Sequence, residues 1–224
     1  IHAPLWTHRS HHGATAGASL GDGIFPSALK TMAGTLAIDL GSTTTVVAFQ
    51  PAAGGPAQLL ELPPYSCGTP SVIPSLLWLQ QAGSEQPLIG RQVLEAGLVE
   101  QGGPQLQRDF KRWIGASPPR AGEALLSPEQ AGKLLMERIW QQLPADLAPS
   151  RLVLTAPIDS YRGYRRWLTE VTSGLAVPEV ALVDEPTAAA IGAGLPAGSK
   201  VLVVDLGGGT IDLSLVALEG GEGK

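Results

Sequence analysis

The stretch Lys200–Leu218, KVLVVDLGGGTIDLSLVAL, indicates the fold to expect of this 224-residue chain. Two runs rich in Val, Leu and Ile flank Gly207–Thr210, and Asp205 stands two residues before the glycines. Because glycine has no Cβ, consecutive glycines allow a sharp turn and leave backbone N–H groups open to a bound group. Successive N–H donors in a turn form an anion site that suits a phosphate. The pattern predicts a β-hairpin with a phosphate site at its tip.

A second copy of this pattern lies near the start of the organised sequence. Leu36–Gln50 reads LAIDLGSTTTVVAFQ, with an apolar run, Asp-Leu-Gly, hydroxyl residues and another apolar run. One glycine-rich turn is weak evidence, since many hairpins use glycine for geometry alone. Two Asp-Leu-Gly hairpins in one chain indicate two loops that grip one polyphosphate from opposite sides.

Composition sets limits on the class of protein. The chain is 44% apolar and 16% charged, which is typical of a globular protein with a substantial core. A net charge of −5 argues against nucleic acid or an anionic membrane as the main partner. No apolar run approaches the roughly 18 residues of a membrane span. Cys67 is the single cysteine, so we expect no intrachain disulfide and, by default, a reducing cytoplasmic setting.

Residues 1–31 differ from the rest of the sequence. They show no apolar periodicity and are dominated by Gly, Ala, Ser and His. A secretory signal needs a continuous apolar segment of about 7–15 residues, and this segment has none. His8, His11 and His12 match no metal-site spacing and have no cysteine or paired carboxylate nearby. We interpret the segment as a disordered leader or a non-native extension.

From Met32 onward, segments with strand character alternate with segments of helical periodicity. This alternation predicts an α/β protein with parallel strand pairing and helices on the faces of the sheet. The predicted strands beside the two hairpins are Ala57–Leu62, Leu76–Gln80, Arg151–Ala156 and Glu179–Val183, and the predicted helices are Arg91–Gln101, Ser127–Leu143, Ser160–Ser173 and Thr187–Ala193.

The helix that begins near Ser127 has the strongest local signals. Ser127 can cap it, Pro128 suits the first helical position and Gln130 completes a capping box. Apolar residues then recur on one face, at Ala131, Leu134, Leu135, Ile139 and Leu143.

Five segments together resemble the DnaK-type chaperones, the seventy-kilodalton heat-shock proteins of the actin-like ATPase group. The segments are LAIDLGSTTTVVAF, FKRWIG, VLTAPIDSYRGYRRWLTEV, LVDEPTAAAIGAG and VLVVDLGGGTIDLSLV, in the order in which the family has them. The resemblance implies an actin-like ATPase fold, which is ribonuclease H-like, with a complete first lobe and the first hairpin of a second lobe. The implied division is 1–31, a first lobe at 32–199 with an inserted subdomain at about 64–145, and the hairpin at 200–224.

The resemblance also implies ATP or ADP as the bound nucleotide. It assigns the phosphate contacts to the tips of the two hairpins, which are Gly41, Ser42 and Thr43 in the first and Gly207, Gly208, Gly209 and Thr210 in the second.

Five residues match the family's catalytic and metal-binding positions. Asp39 and Asp205 would approach one Mg²⁺ ion, largely through its water shell, because this ion keeps several waters and takes few carboxylates. Lys111 falls on the lysine that contacts the γ-phosphate and the attacking water. Glu185 matches a carboxylate that positions water and cation, and Thr210 matches a hydroxyl that closes on the γ-phosphate. Two carboxylates facing one phosphate chain would repel it without a cation, so the pairing itself indicates Mg²⁺.

Each of these residues has an ordinary alternative explanation. Asp39 and Asp205 could be turn residues at strand ends, and Ser42 and Thr43 could be simple turn or strand formers. A lysine beside Arg112 is usually a solvated surface charge. Glu185 precedes a proline, and an acidic residue there could stabilise a helix N-terminus by about 0.3–1 kcal/mol.

Two further residues match signalling elements of the family. Pro157 matches a proline switch, and Arg165 matches an arginine that reports the nucleotide state to a substrate-binding domain. The chain departs from the family nearby, with Ile158–Tyr161 in place of a Tyr-Phe-Asn-Asp-like run and Asp184 in place of the usual Asn. These departures put the coupling to partners in doubt more than phosphate binding.

The function implied by the resemblance is ATP binding and hydrolysis in a stress-responsive chaperone that assists protein folding. The implied partners are unfolded polypeptides, a J-domain co-chaperone and a nucleotide-exchange factor. Family members continue into a second lobe after DLGGGT, so the 224-residue chain itself is expected to bind ATP weakly at best. Whether it is an active enzyme stays open. The alternatives are a sugar or acetate kinase, an actin-like filament protein and a non-catalytic pseudo-ATPase that binds a partner.

Overall fold

The computed structural model describes residues 31–80, 86–116, 125–158, 161–208 and 211–219. The predictions for the leader, for His8, His11 and His12 within it, and for Gly209 and Thr210 lie outside the described residues.

The described part of the chain contains strands and helices in alternation. In chain order, the strands are β1 (Met32–Leu40), β2 (Thr44–Pro51), β3 (Gln58–Leu59), β4 (Ile73–Pro74), β5 (Leu77–Trp78), β6 (Leu88–Ile89), β7 (Leu106–Gln107), β8 (Leu147–Ala156), β9 (Glu179–Asp184), β10 (Lys200–Leu206) and β11 (Ile211–Ala217). The helices are α1 (Arg91–Glu95), α2 (Leu98–Gln101), α3 (Pro128–Gln141), α4 (Tyr161–Thr172) and α5 (Glu185–Gly192), and a 3₁₀ helix covers Phe110–Trp113.

The main sheet has the strand order β3-β2-β1-β8-β9, and β4 pairs with the start of β2. β1 and β2 form the first predicted hairpin and are antiparallel. β1 pairs with β8, and β8 with β9, in parallel, which places their carboxyl ends at one edge of the sheet. The α/β class and the parallel pairing predicted from the sequence are therefore confirmed.

A small second sheet, β6-β5-β7, forms within the segment between β4 and α3 together with α1, α2 and the 3₁₀ helix. Two predictions in this part of the chain were wrong in extent. The strand expected at Ala57–Leu62 is limited to Gln58–Leu59, where β3 pairs with β2. The single helix expected over Arg91–Gln101 is two short helices, because Gly97 between them has a left-handed backbone with φ 65°.

The helix α3 has the N-terminus that its sequence predicts. The Ser127 hydroxyl accepts a hydrogen bond from the Gln130 N–H at 3.2 Å, and the Gln130 side chain accepts one from the Ser127 N–H at 2.9 Å. Its buried face belongs to one hydrophobic cluster that also includes β1, the small sheet and α4, with members such as Leu36, Leu77 and Tyr164. One continuous core thus supports both the main sheet and the segment inserted between β4 and β8.

The second predicted hairpin is also present. β10 and β11 pair antiparallel in the register Val203↔Ser214 and Asp205↔Asp212. The hairpin packs on α5, but its other face is open, and Leu202, Leu213 and Leu215 are 63%, 67% and 81% exposed. In the described residues, no helix is both long and apolar enough to cross a membrane.

Candidate functional site

The tip of the first hairpin is a tight turn directly after β1. The Gly41 N–H donates to the Thr44 carbonyl oxygen at 3.0 Å, which closes the turn. A Cβ on Gly41 would collide with that same carbonyl oxygen, so only glycine fits. Ser42 and Thr43 stand at the point where the chain reverses, and Asp39 lies at the end of β1 just before them.

The tip of the second hairpin lies against the tip of the first. A Cβ added to Gly208 would overlap the side chain of Thr43. The two Asp-Leu-Gly motifs therefore face each other directly, although they are far apart in the sequence. Gly207 is exposed beside this contact.

A cleft of about 790 Å³ opens below the two tips. Its walls come from the first hairpin turn and the 3₁₀ helix, from the residues after β8 and the start of α5, and from the β10–β11 hairpin. Of the residues predicted from the sequence, the cleft is lined by Ser42, Lys111, Pro157, Glu185 and Asp205.

Lys111 and Glu185 form an ion pair on the wall of this cleft. The Lys111 Nζ donates to the Glu185 Oε1 at 2.6 Å, across 74 residues of sequence. The side chains are only 11% and 23% exposed, so the pair is neither a solvated surface contact nor freely mobile. The surface-charge explanation for Lys111 is therefore wrong. Glu185 also begins α5, so the helix N-terminus adds to the stabilisation of its charge.

The charge of Glu185 is opposed by its surroundings. Burial raises the pKa of Glu185 above its ordinary value, the Lys111 ammonium lowers it, and the negative charges of Asp39 and Asp205 raise it again. The net direction is upward. Asp39 and Asp205 therefore both lie within electrostatic reach of Glu185.

Asp39 has a partner that the sequence did not indicate. The Thr155 hydroxyl donates to the Asp39 Oδ1 at 2.5 Å. Thr155 is the second-last residue of β8, and the parallel register Ile38↔Leu154 places it beside Asp39. The signal was available in principle, because carboxyl ends of adjacent parallel strands share one sheet edge, but it required knowing that β1 and β8 are neighbours.

The 3₁₀ helix that carries Lys111 is held by close packing that the sequence also did not reveal. Gly115, with φ 76°, approaches α4 so closely that a Cβ on it would lie 2.6 Å from a Gly163 backbone atom. The Gly115 N–H donates to the Glu129 Oε1 at 2.9 Å, and the Trp167 indole N–H donates to the Glu129 carbonyl at 3.0 Å. Helices α3 and α4 together thus fix the position of Lys111.

Tyr164 is buried beneath the carboxylates. Its side chain is fully buried, and its hydroxyl has no hydrogen-bond partner among the described residues. Burial raises the pKa of the Tyr164 hydroxyl well above its ordinary value, and the nearby negative charges of Glu185 and Asp39 add to this. The sequence analysis did not single out this residue.

Known proteins resemble parts of this chain. The family model of the MreB/Mbl proteins matches residues 124–221. The cell shape-determining protein MreB of Escherichia coli (strain K12) is 40% identical over 125 residues, which are 50% of this chain and 35% of that protein. The chaperone protein DnaK of Anaplasma marginale is 28% identical over 214 residues, 83% of this chain and 31% of that protein. The heat shock 70 kDa protein BIP3 of Oryza sativa subsp. japonica is 37% identical over 111 residues, 46% of this chain and 16% of that protein.

These relatives share one fold with the sheet described above. The chain belongs to the actin-like ATPase superfamily. The resemblance seen in the sequence is thus confirmed at this level, while the matches divide between MreB and DnaK-type proteins. The chain spans about a third or less of the length of the curated relatives it matches.

Actin-like ATPases generally bind ATP or ADP with Mg²⁺, and the oxygen atoms of this site fit such an ion. No group of three or more described His, Cys, Asp or Glu residues is arranged to hold a metal directly. Asp205 and Glu185 line the cleft, and Asp39 is near enough to raise the pKa of Glu185. This suits Mg²⁺, which keeps most of its water shell and binds through one or two carboxylates and the phosphates of its substrate.

The two residues matched to signalling elements of the DnaK-type chaperones lie in different places. Pro157 directly follows β8 and lines the cleft. Arg165 is half-buried in α4, and its carbonyl accepts a hydrogen bond from the Thr169 hydroxyl at 2.9 Å. The described lining of the cleft does not include Arg165, so any role it has in coupling would act through α4.

Proposed function

We propose that this chain binds the phosphates of ATP between its two hairpins, with Mg²⁺, as the phosphate-binding part of an ATPase. The observation that carries this proposal is the contact of Gly208 with Thr43. It brings together two turns, each of which follows an Asp-Leu-Gly motif, at the edge of one cleft that Ser42 and Asp205 line. Backbone N–H groups of such turns suit phosphate oxygens.

The charged side chains have distinct tasks in this proposal. Lys111 would donate a charge-assisted hydrogen bond to a terminal phosphate oxygen, and its pairing with Glu185 holds it at the cleft wall. Asp39 and Asp205 would accept hydrogen bonds from the waters around Mg²⁺. Glu185 would orient the attacking water, and Thr210 would close on the γ-phosphate. Phosphoryl transfer needs mainly this kind of positioning and charge stabilisation.

Mg²⁺ would supply the positive charge that the protein lacks here. Asp39, Asp205 and Glu185 all lie close to the cleft, whereas Lys111 is already paired with one of them. A triphosphate would therefore be repelled by the site unless a cation accompanied it.

Calorimetric titration of the purified chain with ATP and with tripolyphosphate tests the proposal. We expect weak binding of both in the presence of Mg²⁺ and none in EDTA. Asp205→Asn and Lys111→Met should each weaken binding by roughly tenfold or more, as expected for charge-assisted contacts. Lys133→Met is the matched control, because Lys133 is paired with Glu137 on the exposed side of α3. Binding that is independent of Mg²⁺, or unchanged in Asp205→Asn, would contradict the proposal.

Two classes of actin-like ATPase could use this site, and each has an observation in its favour. A filament-forming ATPase is favoured by the MreB/Mbl match over 124–221 and the 40% identity to a cell shape-determining protein. A DnaK-like chaperone is favoured by the longer similarity to DnaK, over 83% of the chain. ATP-dependent sedimentation of the chain would support the first class. Stimulation of ATP hydrolysis by a J-domain protein would support the second, together with unfolded polypeptides and a nucleotide-exchange factor as partners.

A further inference from the structure

We propose that Ser75 is a positioning residue that fixes the first phosphate-binding turn, Gly41–Thr44, in its anion-binding conformation. The inference rests on the proposed function, because it concerns how that turn receives a phosphate. Ser75 follows β4, far from both Asp-Leu-Gly motifs in sequence, and is 1% exposed.

Ser75 binds two carbonyl groups of the turn at once. Its N–H donates to the Thr43 carbonyl at 2.8 Å, and its hydroxyl donates to the Gly41 carbonyl at 2.8 Å. In a planar trans peptide, the C=O and the following N–H point in opposite directions. When the carbonyls of Gly41 and Thr43 point to Ser75, the N–H groups of Ser42 and Thr44 must point away from it.

This orientation has a direct consequence for anion binding. Ser42 lines the cleft, so in this proposal its N–H, which points away from Ser75, meets a phosphate oxygen there. The same two bonds keep two carbonyl oxygens, which would repel a phosphate, on the far side of the turn. Ser75 thus causes the turn to present N–H groups, with their partial positive charge, to the cleft.

A second buried hydroxyl completes the arrangement. Thr45 is 0% exposed, and its Oγ1 lies 2.9 Å from the Ser75 Oγ. A hydroxyl has one proton to donate, and that of Ser75 is directed to Gly41, so Thr45 is the donor in this pair. The resulting chain of hydrogen bonds runs from Thr45 through Ser75 to the Gly41 carbonyl, and each bond in such a chain strengthens the next.

An ordinary buried serine does not donate two hydrogen bonds to one distant turn. Ser66, for example, is also buried, and its hydroxyl accepts one hydrogen bond from the Leu62 N–H at 2.9 Å within a local turn. Ser75 reaches back across 34 residues to Gly41 and directs both of its donors at a single turn.

The test measures the turn and the ligand separately, in the full chain. Amide exchange by NMR reports the Gly41 N–H, which closes the turn on Thr44. Titration with Mg²⁺ and tripolyphosphate reports binding. In Ser75→Ala we expect the Gly41 amide to exchange roughly tenfold faster and tripolyphosphate to bind roughly three- to tenfold more weakly, the range of one or two net hydrogen bonds. Thr45→Val keeps the Ser75–Gly41 bond, so both effects should be smaller there.

Ser71→Ala is the matched control, since the Ser71 hydroxyl makes a long 3.4 Å contact to the Leu60 carbonyl and none to the turn. It should change neither measurement. Unchanged Gly41 exchange in Ser75→Ala would overturn the inference, as would faster exchange with unchanged affinity. If the parent chain fails to bind tripolyphosphate, the proposed function fails, and the exchange measurement still decides whether Ser75 holds the turn. If Ser75→Ala does not fold, Ser75→Cys takes its place, because a thiol is only a weak donor, and unchanged Gly41 exchange in that variant would overturn the inference.

Discussion

Among the individual residues, Tyr164 has the most unusual environment. Its ring packs on Trp167, with centroids 5.2 Å apart and planes at 52°, inside the core beneath Glu185 and Asp39. Its hydroxyl is buried without a partner in the described part of the chain. A polar group left unsatisfied in a core costs about 1–3 kcal/mol of stability. The aromatic ring stabilises the folded state, whereas the unsatisfied hydroxyl lowers its stability.

Tyr164→Phe is therefore expected to keep or raise the stability of the fold. The variant retains the ring and removes the unsatisfied group, so the free energy of unfolding in urea should rise by about 0–2 kcal/mol. The pH dependence gives a second measure. Burial raises the pKa of Tyr164 well above its ordinary value, so above pH 10 the unfolded chain releases this proton first. Stability then falls with rising pH, and this loss should be reduced in Tyr164→Phe.

Tyr65→Phe serves as the control, because Tyr65 is only half-buried and the variant leaves Tyr164 in place. It should keep the alkaline loss of stability. A clear loss of stability in Tyr164→Phe at neutral pH would show that the hydroxyl has a stabilising role and would contradict the prediction.

Some residues of the candidate site can be recognised in the sequence, and others only in the structure. Asp39, Lys111, Glu185 and Asp205 could be named from the sequence because each lies in a recognisable segment. Their grouping around the cleft follows from the fold, and their roles stay predictions. The supporting side chains are Ser75, Thr155 and Tyr164, and no local pattern distinguishes them from other residues of their type. They act through neighbours that are distant in sequence, and only strand order brings them together.

At the scale of elements, the meeting of the Lys111 segment with α4 depends on two glycines. A Cβ on Gly163 would lie 2.7 Å from the Gly115 carbonyl oxygen, closer than real Cβ atoms approach. Helix propensity alone favours alanine over glycine by about 1 kcal/mol. The close contact with Gly115 instead favours glycine at position 163, because the backbone atoms of both segments cannot easily move apart to admit a Cβ.

Gly163→Ala and Gly192→Ala separate these two effects. In Gly163→Ala we expect the clash to outweigh the helix propensity and to lower the free energy of unfolding by about 1–3 kcal/mol. In Gly192→Ala, a Cβ meets nothing within 4 Å, so the same substitution in α5 should stabilise the protein by up to about 1 kcal/mol. Urea unfolding of both variants measures the difference. Equal effects of the same sign would show that the approach of Gly115 to α4 is not a constraint on the fold.

The elements that the sequence predicted well are those set by residues close together in the chain. The start of α3 is determined by Ser127, Pro128 and Gln130, which act within one turn, and it was predicted correctly. The hairpins were predicted because their strands are consecutive in sequence. The break at Gly97 was missed, because one glycine in a helical pattern is tolerated as often as it interrupts the helix. The contact of Gly115 with α4 is long-range, and no local pattern encodes it.

At the scale of the whole molecule, the β10–β11 hairpin depends on a small set of contacts. It packs on α5 and touches Thr43 at its tip, while Leu202, Leu213 and Leu215 stay largely exposed. It forms a sheet of its own and does not extend the main sheet. A ligand held by both hairpins would add contacts between these two parts of the chain, so their association and phosphate binding should be thermodynamically linked.

The segment Leu195–Ser199, which joins α5 to this hairpin, should report that linkage. It is largely exposed, with Gly198 in a left-handed conformation at φ 87°, so a broad-specificity protease should cut there before it cuts any strand of the main sheet. Tripolyphosphate with Mg²⁺ should slow this cut by at least roughly tenfold at saturating concentration, because it binds the closed arrangement. Mass spectrometry of the fragments over time measures the rate. Asp205→Asn is the control, since the ligand should protect it much less. Resistance of 195–199 to cleavage without ligand would mean that the hairpin is docked more firmly than its few contacts indicate.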